Sequence, residues 1–189
     1  MTGVDLSAEN VERAGKAAEA RNLSDRVRFP VADAESLPFT NQCFDALLCE
    51  CAFCTFPSKS VAASEFARVL VCCGRLGLSD LTRSQQLPPQ LDTLMAWIAC
   101  IADALPVECY HDILQSAGFR ILNTEAHRNA LEKMVRQIRT RLLAFDIARG
   151  LKKISAPSFD LTSAKQMAMA AQDAIRAGRL GYVIITATI

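Results

Sequence analysis

Strand-like and helix-like segments alternate along this chain, and the alternation constrains the fold more strongly than any other feature of the sequence. The first helix has clear boundary signals, because Ser7 can cap its first turn and Glu9 lies at the positive end of its dipole. In chain order the pattern predicts a strand end at 3–6, a helix at 7–22, strands at 27–31 and 44–50, a helix at 59–71 and a strand at 75–81. This order predicts an α/β fold with a doubly wound, mostly parallel sheet.

The second half of the chain continues the alternation but carries more helix. Its predicted elements are helices at 91–105 and 108–117, a strand at 119–126, helices at 131–145 and 163–177, and a closing β-branched strand at 181–189. Neither an internal repeat nor a low-complexity linker interrupts the 189 residues. We therefore predict a single domain over 1–189, with a helical insertion at about 128–178 before the last strand.

The helix predicted at 131–145 has two distinct faces. Apolar residues recur every three or four positions on one face, namely Leu131, Val135, Ile138, Leu142 and Phe145. Basic residues occupy the other face, namely Arg128, Lys133, Arg136, Arg139 and Arg141. A basic amphipathic helix can lie on a membrane or bind a partner. A core-facing stripe with a solvated back is the commoner arrangement, and we favour that interpretation.

The composition limits the partners and the compartment. The chain is 51% hydrophobic and 22% charged with a net charge of +1, so it has no field suited to a polyanion, and nucleic acid is not expected as a partner. It has neither a basic-then-apolar leader nor an apolar stretch of about twenty residues, which predicts a cytoplasmic protein without membrane contact. In that reducing compartment its 8 cysteines are expected as thiols, ligands or core residues rather than as disulfides.

Acidic residues follow three of the predicted strands, namely Asp5, Asp33 and Glu50. In a doubly wound sheet, ligands bind at the carboxyl ends of the strands, so acids there are informative. A carboxylate after the first strand has two acceptor oxygens and can accept both hydroxyls of a ribose. Each acid alone is better explained as a helix cap or a turn residue, whereas the ordered set indicates a ligand site.

Four segments carry a resemblance to a known family: GVDLSAENVERA, ADAESLPF, FDALLCE and RVLVCCGRLGLSDL, in that order. Over nearly the whole chain they resemble the part of the class I S-adenosylmethionine-dependent methyltransferases that follows the glycine-rich loop. The resemblance implies a seven-stranded, Rossmann-like sheet with an antiparallel last strand, and S-adenosylmethionine as the cofactor. It implies the ribose on Asp5, the adenine amino group near Asp33, and the methionine and substrate at the strand end 49–51. The cofactor-binding residues so implied are Asp5, Leu6, Asp33, Ala34 and Glu50.

The chain departs from this family in two places. The family's first strand and glycine-rich loop precede the position of Gly3, so this sequence lacks the strand that is central in the family's sheet. Without that strand, the backbone groups of the neighbouring strands would be unpaired. We therefore expect a dimer partner, a swapped segment or a remodelled sheet to fill the gap, and we predict a homodimer. The second departure is Cys72-Cys73-Gly74, where the family has Pro-Gly-Gly, so two thiols replace the stiffest part of the turn.

Cysteines are concentrated in CECAFCTF, residues 49–56. This segment resembles that of the arsenite methyltransferases, and the resemblance implies Cys51 and Cys100 as catalytic ligands of trivalent arsenic, with Cys54 as a spare ligand. Thiolates bind soft trivalent arsenic strongly, and its lone pair can attack a sulfonium methyl group without a general base. Cysteines that pack in the core as small apolar residues are nevertheless the commoner case. The interpretation as a zinc site has even less support, because C-x-C-x-x-C is not accompanied by a second pair of cysteines or histidines at the spacing of a zinc finger.

Three functions remain open from the sequence. The first is a methyltransferase acting on a small substrate, with trivalent arsenic as the candidate. The second is a truncated, non-catalytic protein of methyltransferase fold that serves as a binding or dimerisation module. The third is methylation of carbon or oxygen on an ordinary small molecule, with incidental cysteines. The acids at the strand ends favour an enzyme, whereas the missing glycine-rich loop favours the binding module.

Overall fold

The computed structural model describes residues 1–84, 87–91, 101, 103–151 and 160–189. The described strands are β1 (Phe44–Glu50), β2 (Leu70–Arg83), β3 (Arg120–Ala126) and β4 (Leu180–Thr188). The described helices are α1 (Ala8–Glu19), α2 (Lys59–Val69), α3 (Val107–Ser116), α4 (Arg128–Gly150) and α5 (Leu161–Arg176). Each overlaps an element predicted from the sequence, and β1 has the predicted bounds. Most of the helix predicted at 91–105 lies outside the described residues.

The four strands form one mixed sheet in the order β1–β2–β4–β3. β1 and β2 are parallel, with Glu50 opposite Ser79, whereas β4 is antiparallel to both of its neighbours. The last strand of the chain therefore lies inside the sheet, between β2 and β3. The prediction of an α/β fold with an antiparallel final strand is confirmed.

The strands predicted at 3–6 and 27–31 do not join this sheet. They form a separate N-terminal pair, held by isolated parallel bridges between Thr2 and Arg28 and between Asp5 and Val31. A strand needs neighbours that satisfy its backbone groups, and among the described residues β1 is an edge strand without a second neighbour. In the described part of the chain, the seven-stranded sheet implied by the resemblance is thus a four-stranded sheet beside this pair.

A cavity lies between the N-terminal pair and the start of β1. Its volume is about 580 Å³, and the residues that line it include Thr2, Phe29, Phe39 and Phe44. Farther along β1, Leu48 is 77% exposed, although leucine is usually buried within a strand. These features mark the position at which the family resemblance puts a further strand. The homodimer that would cover it stays a prediction.

Two apolar clusters hold the helices against the sheet. The cluster beside α2 and α3 includes Phe53, Phe66, Leu78, Tyr110 and Ile185. The cluster beside α4 and α5 includes Leu81, Leu91, Leu131, Ile175 and Leu180. Leu78 and Leu81 of β2 belong to different clusters, as do Ile185 and Leu180 of β4, so these two strands connect the two parts of the core.

The predicted core-facing stripe of α4 is most deeply buried at the start of the helix. Leu131 and Val135 are buried, Ile138 is 42% exposed, and Leu142 and Phe145 are half-buried. The core-facing interpretation is therefore confirmed at Leu131 and Val135, and the burial of the stripe decreases in the later turns. Within the described ranges, no helix is long and apolar enough to cross a membrane.

Candidate functional site

Asp5 lies at the carboxyl end of the first segment of the N-terminal pair. Its carboxylate oxygens accept hydrogen bonds from the Ser7 backbone N–H at 2.8 Å and from Asn10 Nδ2 at 3.2 Å. The side chain is exposed, and each oxygen has a further lone pair, so these contacts orient the carboxylate without exhausting its acceptor capacity. Leu6, the next residue, is 73% exposed. The site thus has an acceptor pair beside an exposed apolar side chain.

The backbone brings Asp33 beside Asp5. The Ala32 N–H donates to the Asp5 carbonyl at 3.1 Å, so the two segments remain paired up to the residue before Asp33. Asp33 then turns the chain, because its Oδ1 accepts from the Glu35 N–H at 2.9 Å. Ala34, between them in sequence, packs half-buried against the first core cluster. The predicted cofactor-binding residues of the N-terminal segments therefore lie together.

Hydrogen bonds connect this edge to residues 51–59, the segment after β1, which we call the lip. The Ser58 N–H donates to Glu35 Oε1 at 2.6 Å. At the other end of the lip, the Cys51 N–H donates to the Ser79 carbonyl of β2 at 2.8 Å. Glu50 is exposed at the end of β1. The structure thus joins the loop that holds Glu35 to the segment that follows β1.

The three thiols of CECAFCTF have different surroundings. Cys49 and Cys54 are buried, at 7% and 0% exposure, whereas Cys51 is exposed. Burial, assisted by the charge of Asp80, raises the pKa of Cys49 to about 12, so this residue stays a neutral thiol at physiological pH. In the described part of the chain, no group of three or more histidine, cysteine or acidic side chains is placed to hold a metal ion. The zinc alternative gains no support there.

Cys51 takes an unusual backbone conformation at the end of β1. Its φ of +49° lies in the left-handed region, which is rare for a residue with a side chain. Its Sγ donates a hydrogen bond to the Tyr182 hydroxyl of β4 over 3.7 Å. Burial raises the pKa of Tyr182, so that hydroxyl stays protonated. Of the two predicted catalytic cysteines, Cys51 therefore lies exposed on the lip, and Cys100 lies outside the described residues.

Asp80, which was not predicted as a site residue, holds the lip through a hydrogen bond to its backbone. It is fully buried in β2, where Oδ2 accepts from the Cys54 N–H at 2.7 Å and Oδ1 accepts from the Leu81 N–H at 2.8 Å. Burial raises the pKa of this carboxyl above its ordinary range, although those hydrogen bonds and the charge of Lys59 oppose the rise. Asp80 lies near the carboxyl end of a predicted strand, as Asp5 does, so the same sequence pattern could have identified it as a candidate site residue.

Lys59 fixes the far end of the lip. Its Nζ donates to the Phe56 carbonyl at 3.1 Å and to Asp103 Oδ2 at 2.7 Å, and the side chain is only 9% exposed. Asp103 belongs to the stretch just before α3, so this ion pair holds the lip against a distant part of the chain. No local pattern in the sequence links the two residues.

Known proteins are similar to parts of this chain. Residues 1–77 match the family model described as a methyltransferase domain. An uncharacterized methyltransferase of Bacillus subtilis, YcgJ, is 41% identical over 78 residues, which are 41% of this chain and 30% of that protein. An arsenite methyltransferase of Halobacterium salinarum is 26% identical over 123 residues, which are 63% of this chain and 30% of that protein.

A solved structure extends the similarity over nearly the whole chain. The crystal structure of the cyclase SpnF has a TM-score of 0.75 at 27% identity, covering 99% of this chain and 65% of that one. The chain spans less than two thirds of the length of each of these three proteins. Residues 1–77 are therefore similar to a methyltransferase domain, the chain has a Rossmann-like α/β fold, and these similarities support S-adenosylmethionine as the cofactor.

Proposed function

We propose that this chain binds S-adenosylmethionine and transfers its methyl group to a small substrate. The observation that carries the proposal is that Asp5 and Asp33 stand at the carboxyl ends of two bridged segments, which are connected through Glu35 to the lip. Asp5 has the acceptor capacity for both ribose hydroxyls, and Asp33 is the acceptor for the adenine amino group. The residues present fit the nucleoside half of the cofactor.

Catalysis in this proposal is mainly positioning by the chain. When bound, the cofactor supplies a methyl group on a positively charged sulfur. The lip can hold a substrate beside it because hydrogen bonds or ion pairs fix it at three points: Cys51 to Ser79, Cys54 to Asp80, and Lys59 to Asp103. A rigid segment at the reacting group lowers the entropy cost of alignment.

Calorimetric titration of the reduced, metal-free chain with S-adenosylmethionine tests the proposal. We expect saturable binding that is weaker by about 10- to 100-fold in Asp5→Ala, because a hydrogen bond to a charged group contributes roughly 1.5–3 kcal/mol. Asp5→Asn keeps an acceptor for the Ser7 N–H and should show an intermediate affinity. The matched control is Asp25→Ala, an exposed aspartate in a turn, which should bind as the parent does. Absence of binding at millimolar cofactor, or equal affinity in Asp5→Ala, would overturn the proposal.

The open edge of β1 favours a second candidate, a binding or dimerisation module without catalysis. Leu48 is exposed on this edge strand, and strand addition at such an edge is a common mode of association. Cofactor titration and sedimentation of the parent chain, together with the variant Leu48→Lys, distinguish the two candidate functions. A chain that binds no cofactor, sediments as a dimer, and becomes monomeric as Leu48→Lys is the module rather than the enzyme.

For the substrate, the finer proposal is trivalent arsenic bound by Cys51 together with Cys100. The exposed position of Cys51 on the lip supports it, as does the similarity to the Halobacterium salinarum arsenite methyltransferase. Cys54, the spare ligand, is fully buried with its N–H on Asp80, so it is poorly placed to replace either thiol.

We expect Cys51→Ser to lower arsenite-dependent formation of S-adenosylhomocysteine by at least about 100-fold, because misplacing a reacting group costs rates of that order. Cofactor affinity should not change, since serine keeps the shape of the side chain. Cys43→Ser is the control, because Cys43 is also exposed but lies at the opposite end of β1. Chromatography of the product with and without arsenite gives the rates. Undiminished arsenite-dependent turnover in Cys51→Ser would leave only the general methyltransferase proposal.

A further inference from the structure

Cys72 and Cys73 form an exposed pair of thiols at the other end of the sheet. They lie near the amino end of β2, before Arg75, and the regular part of the strand from Arg75 to Ser79 is roughly 13 Å long at about 3.3 Å per residue. Both residues are exposed, and their sulfur atoms are 3.7 Å apart. The proposed methyl transfer uses neither thiol, so the pair needs a separate explanation.

The backbone brings both sulfur atoms to one place. Successive side chains of a regular strand point to opposite faces, which would separate neighbouring cysteines. Here the ladder between β1 and β2 shifts register between Phe44 and Ala46, so residues 71–74 bulge out opposite a single residue of β1. Within the bulge, Cys73 has a φ of +63°, in the left-handed region, and the alternation of side chains is broken.

Fixed contacts hold the bulge at its end. Gly74 has no space for a side chain, because a Cβ there would lie 2.8 Å from the Val71 carbonyl oxygen. The Gly74 carbonyl accepts hydrogen bonds from Thr188 Oγ1 at 3.0 Å and from the Ile189 N–H at 3.2 Å. The two thiols therefore need little reorganisation to share one ligand, which favours binding.

We propose that Cys72 and Cys73 form a bidentate site for a soft trivalent centre that brings its own third substituent, such as a monosubstituted trivalent arsenical. Two bonds of about 2.3 Å at a pyramidal trivalent centre, with an angle of roughly 100°, put the sulfurs about 3.5 Å apart, whereas a linear ion would need about 4.6 Å. The observed 3.7 Å is nearer to the distance for the pyramidal centre. Structural zinc takes four ligands, and the described residues offer no group of three at any position.

A direct disulfide fits this pair less well. Neighbouring Cα atoms are about 3.8 Å apart, which is below the range of about 4.4–6.8 Å that disulfides usually span. The hydrogen bond with Cys73 also raises the pKa of the Cys72 thiol. The site is therefore better arranged to chelate than to oxidise.

The binding step is balanced without a further reactant. When an arsine oxide of formula R–As=O binds, two S–H bonds and the arsenic–oxygen bond break, and two arsenic–sulfur bonds form. The two protons leave with the oxygen as one water molecule. Arsenic stays trivalent and both sulfurs keep their oxidation state, so neither an oxidant nor a reductant is required.

Intact-mass spectrometry of the reduced chain with phenylarsine oxide tests the site. Excess glutathione is included because it removes the probe from single thiols but not from a chelating pair. We expect the parent to retain one more equivalent of probe than either Cys72→Ser or Cys73→Gly, each adduct adding the mass of the probe less one water. Addition of 2,3-dimercaptopropanol should release the bound probe from the parent.

Two controls keep the result unambiguous. Glycine suits the left-handed conformation at position 73, so Cys73→Gly removes a thiol without straining the bulge, and its unfolding temperature should match that of the parent. Cys43→Ser removes another exposed thiol and should keep the parent's stoichiometry. Full stoichiometry in either pair variant, or its loss in Cys43→Ser, overturns the proposal. Cofactor binding is not measured, so the outcome is independent of the methyltransferase proposal.

Discussion

Phe53→Ala is expected to lower the free energy of unfolding by about 3–5 kcal/mol, the usual cost of deleting a buried aromatic ring. Phe53 is fully buried, and its ring centroid lies 5.8 Å from that of Phe56 and 6.0 Å from those of Phe66 and Tyr110. These rings come from the lip, α2 and α3, so the cavity would open where three elements meet. Neighbouring side chains cannot fill it without moving the lip.

Urea unfolding followed by circular dichroism measures this effect. The matched control is Leu143→Ala, because Leu143 is 56% exposed on α4, and its truncation should change the free energy of unfolding by less than about 0.5 kcal/mol. A loss below about 1 kcal/mol in Phe53→Ala would show that the ring does not hold the lip in the core.

Asp80→Ala is expected to destabilise the fold by about 2–4 kcal/mol, because two buried N–H groups, those of Cys54 and Leu81, lose their acceptors. Asp80→Asn keeps one acceptor oxygen and should lose roughly half as much. A second consequence concerns the lip, since the Cys54 N–H no longer has a fixed partner. We expect faster hydrogen exchange at Cys54 in Asp80→Ala, and unchanged exchange there would contradict the anchoring role.

The pH dependence of the same residue has a definite sign. Burial raises the pKa of Asp80 in the folded chain, so the folded state binds that proton more tightly than the unfolded state does. The resulting stabilisation is present below the unfolded pKa, about 3.9, and is lost as the pH rises through the higher folded value. Over that window the parent should therefore lose stability relative to Asp80→Asn. The raised pKa of Asp80 would be contradicted if the difference in unfolding free energy between the parent and Asp80→Asn did not change with pH, or if it changed in favour of the parent as the pH rises.

The sequence predicted the elements that are stabilised by their own pattern. FDALLCE has the bounds of β1, and α1 begins after Ser7, whose Oγ accepts from the Asn10 N–H as a helix cap does. The segments at 3–6 and 27–31 have a similar strand-like composition but form isolated bridges, because a strand also depends on its neighbours. Local pattern could not supply that information.

The candidate site was predictable where chemistry follows chain order and unpredictable where it depends on distant contacts. Asp5, Asp33 and Cys51 each follow a strand or a predicted strand; in the structure the segments before Asp5 and Asp33 are bridged to each other, and Cys51 directly follows β1. Tyr182, the partner of Cys51, comes from the last strand, and Asp103 reaches Lys59 from beyond β2. The burial of Cys49 and Cys54 could not be predicted either, because the spacing C-x-C-x-x-C does not indicate which thiol faces the core.

The place of β4 in the sheet has a consequence for how this protein is made. β4 is the last of the described strands in chain order, yet it lies between β2 and β3 and pairs with both. During synthesis β2 and β3 therefore emerge from the ribosome long before the strand that joins them, and until then each exposes an open edge to other chains. The sheet can close only after β4 has left the ribosome, so chaperones that shield nascent strands should matter for this fold.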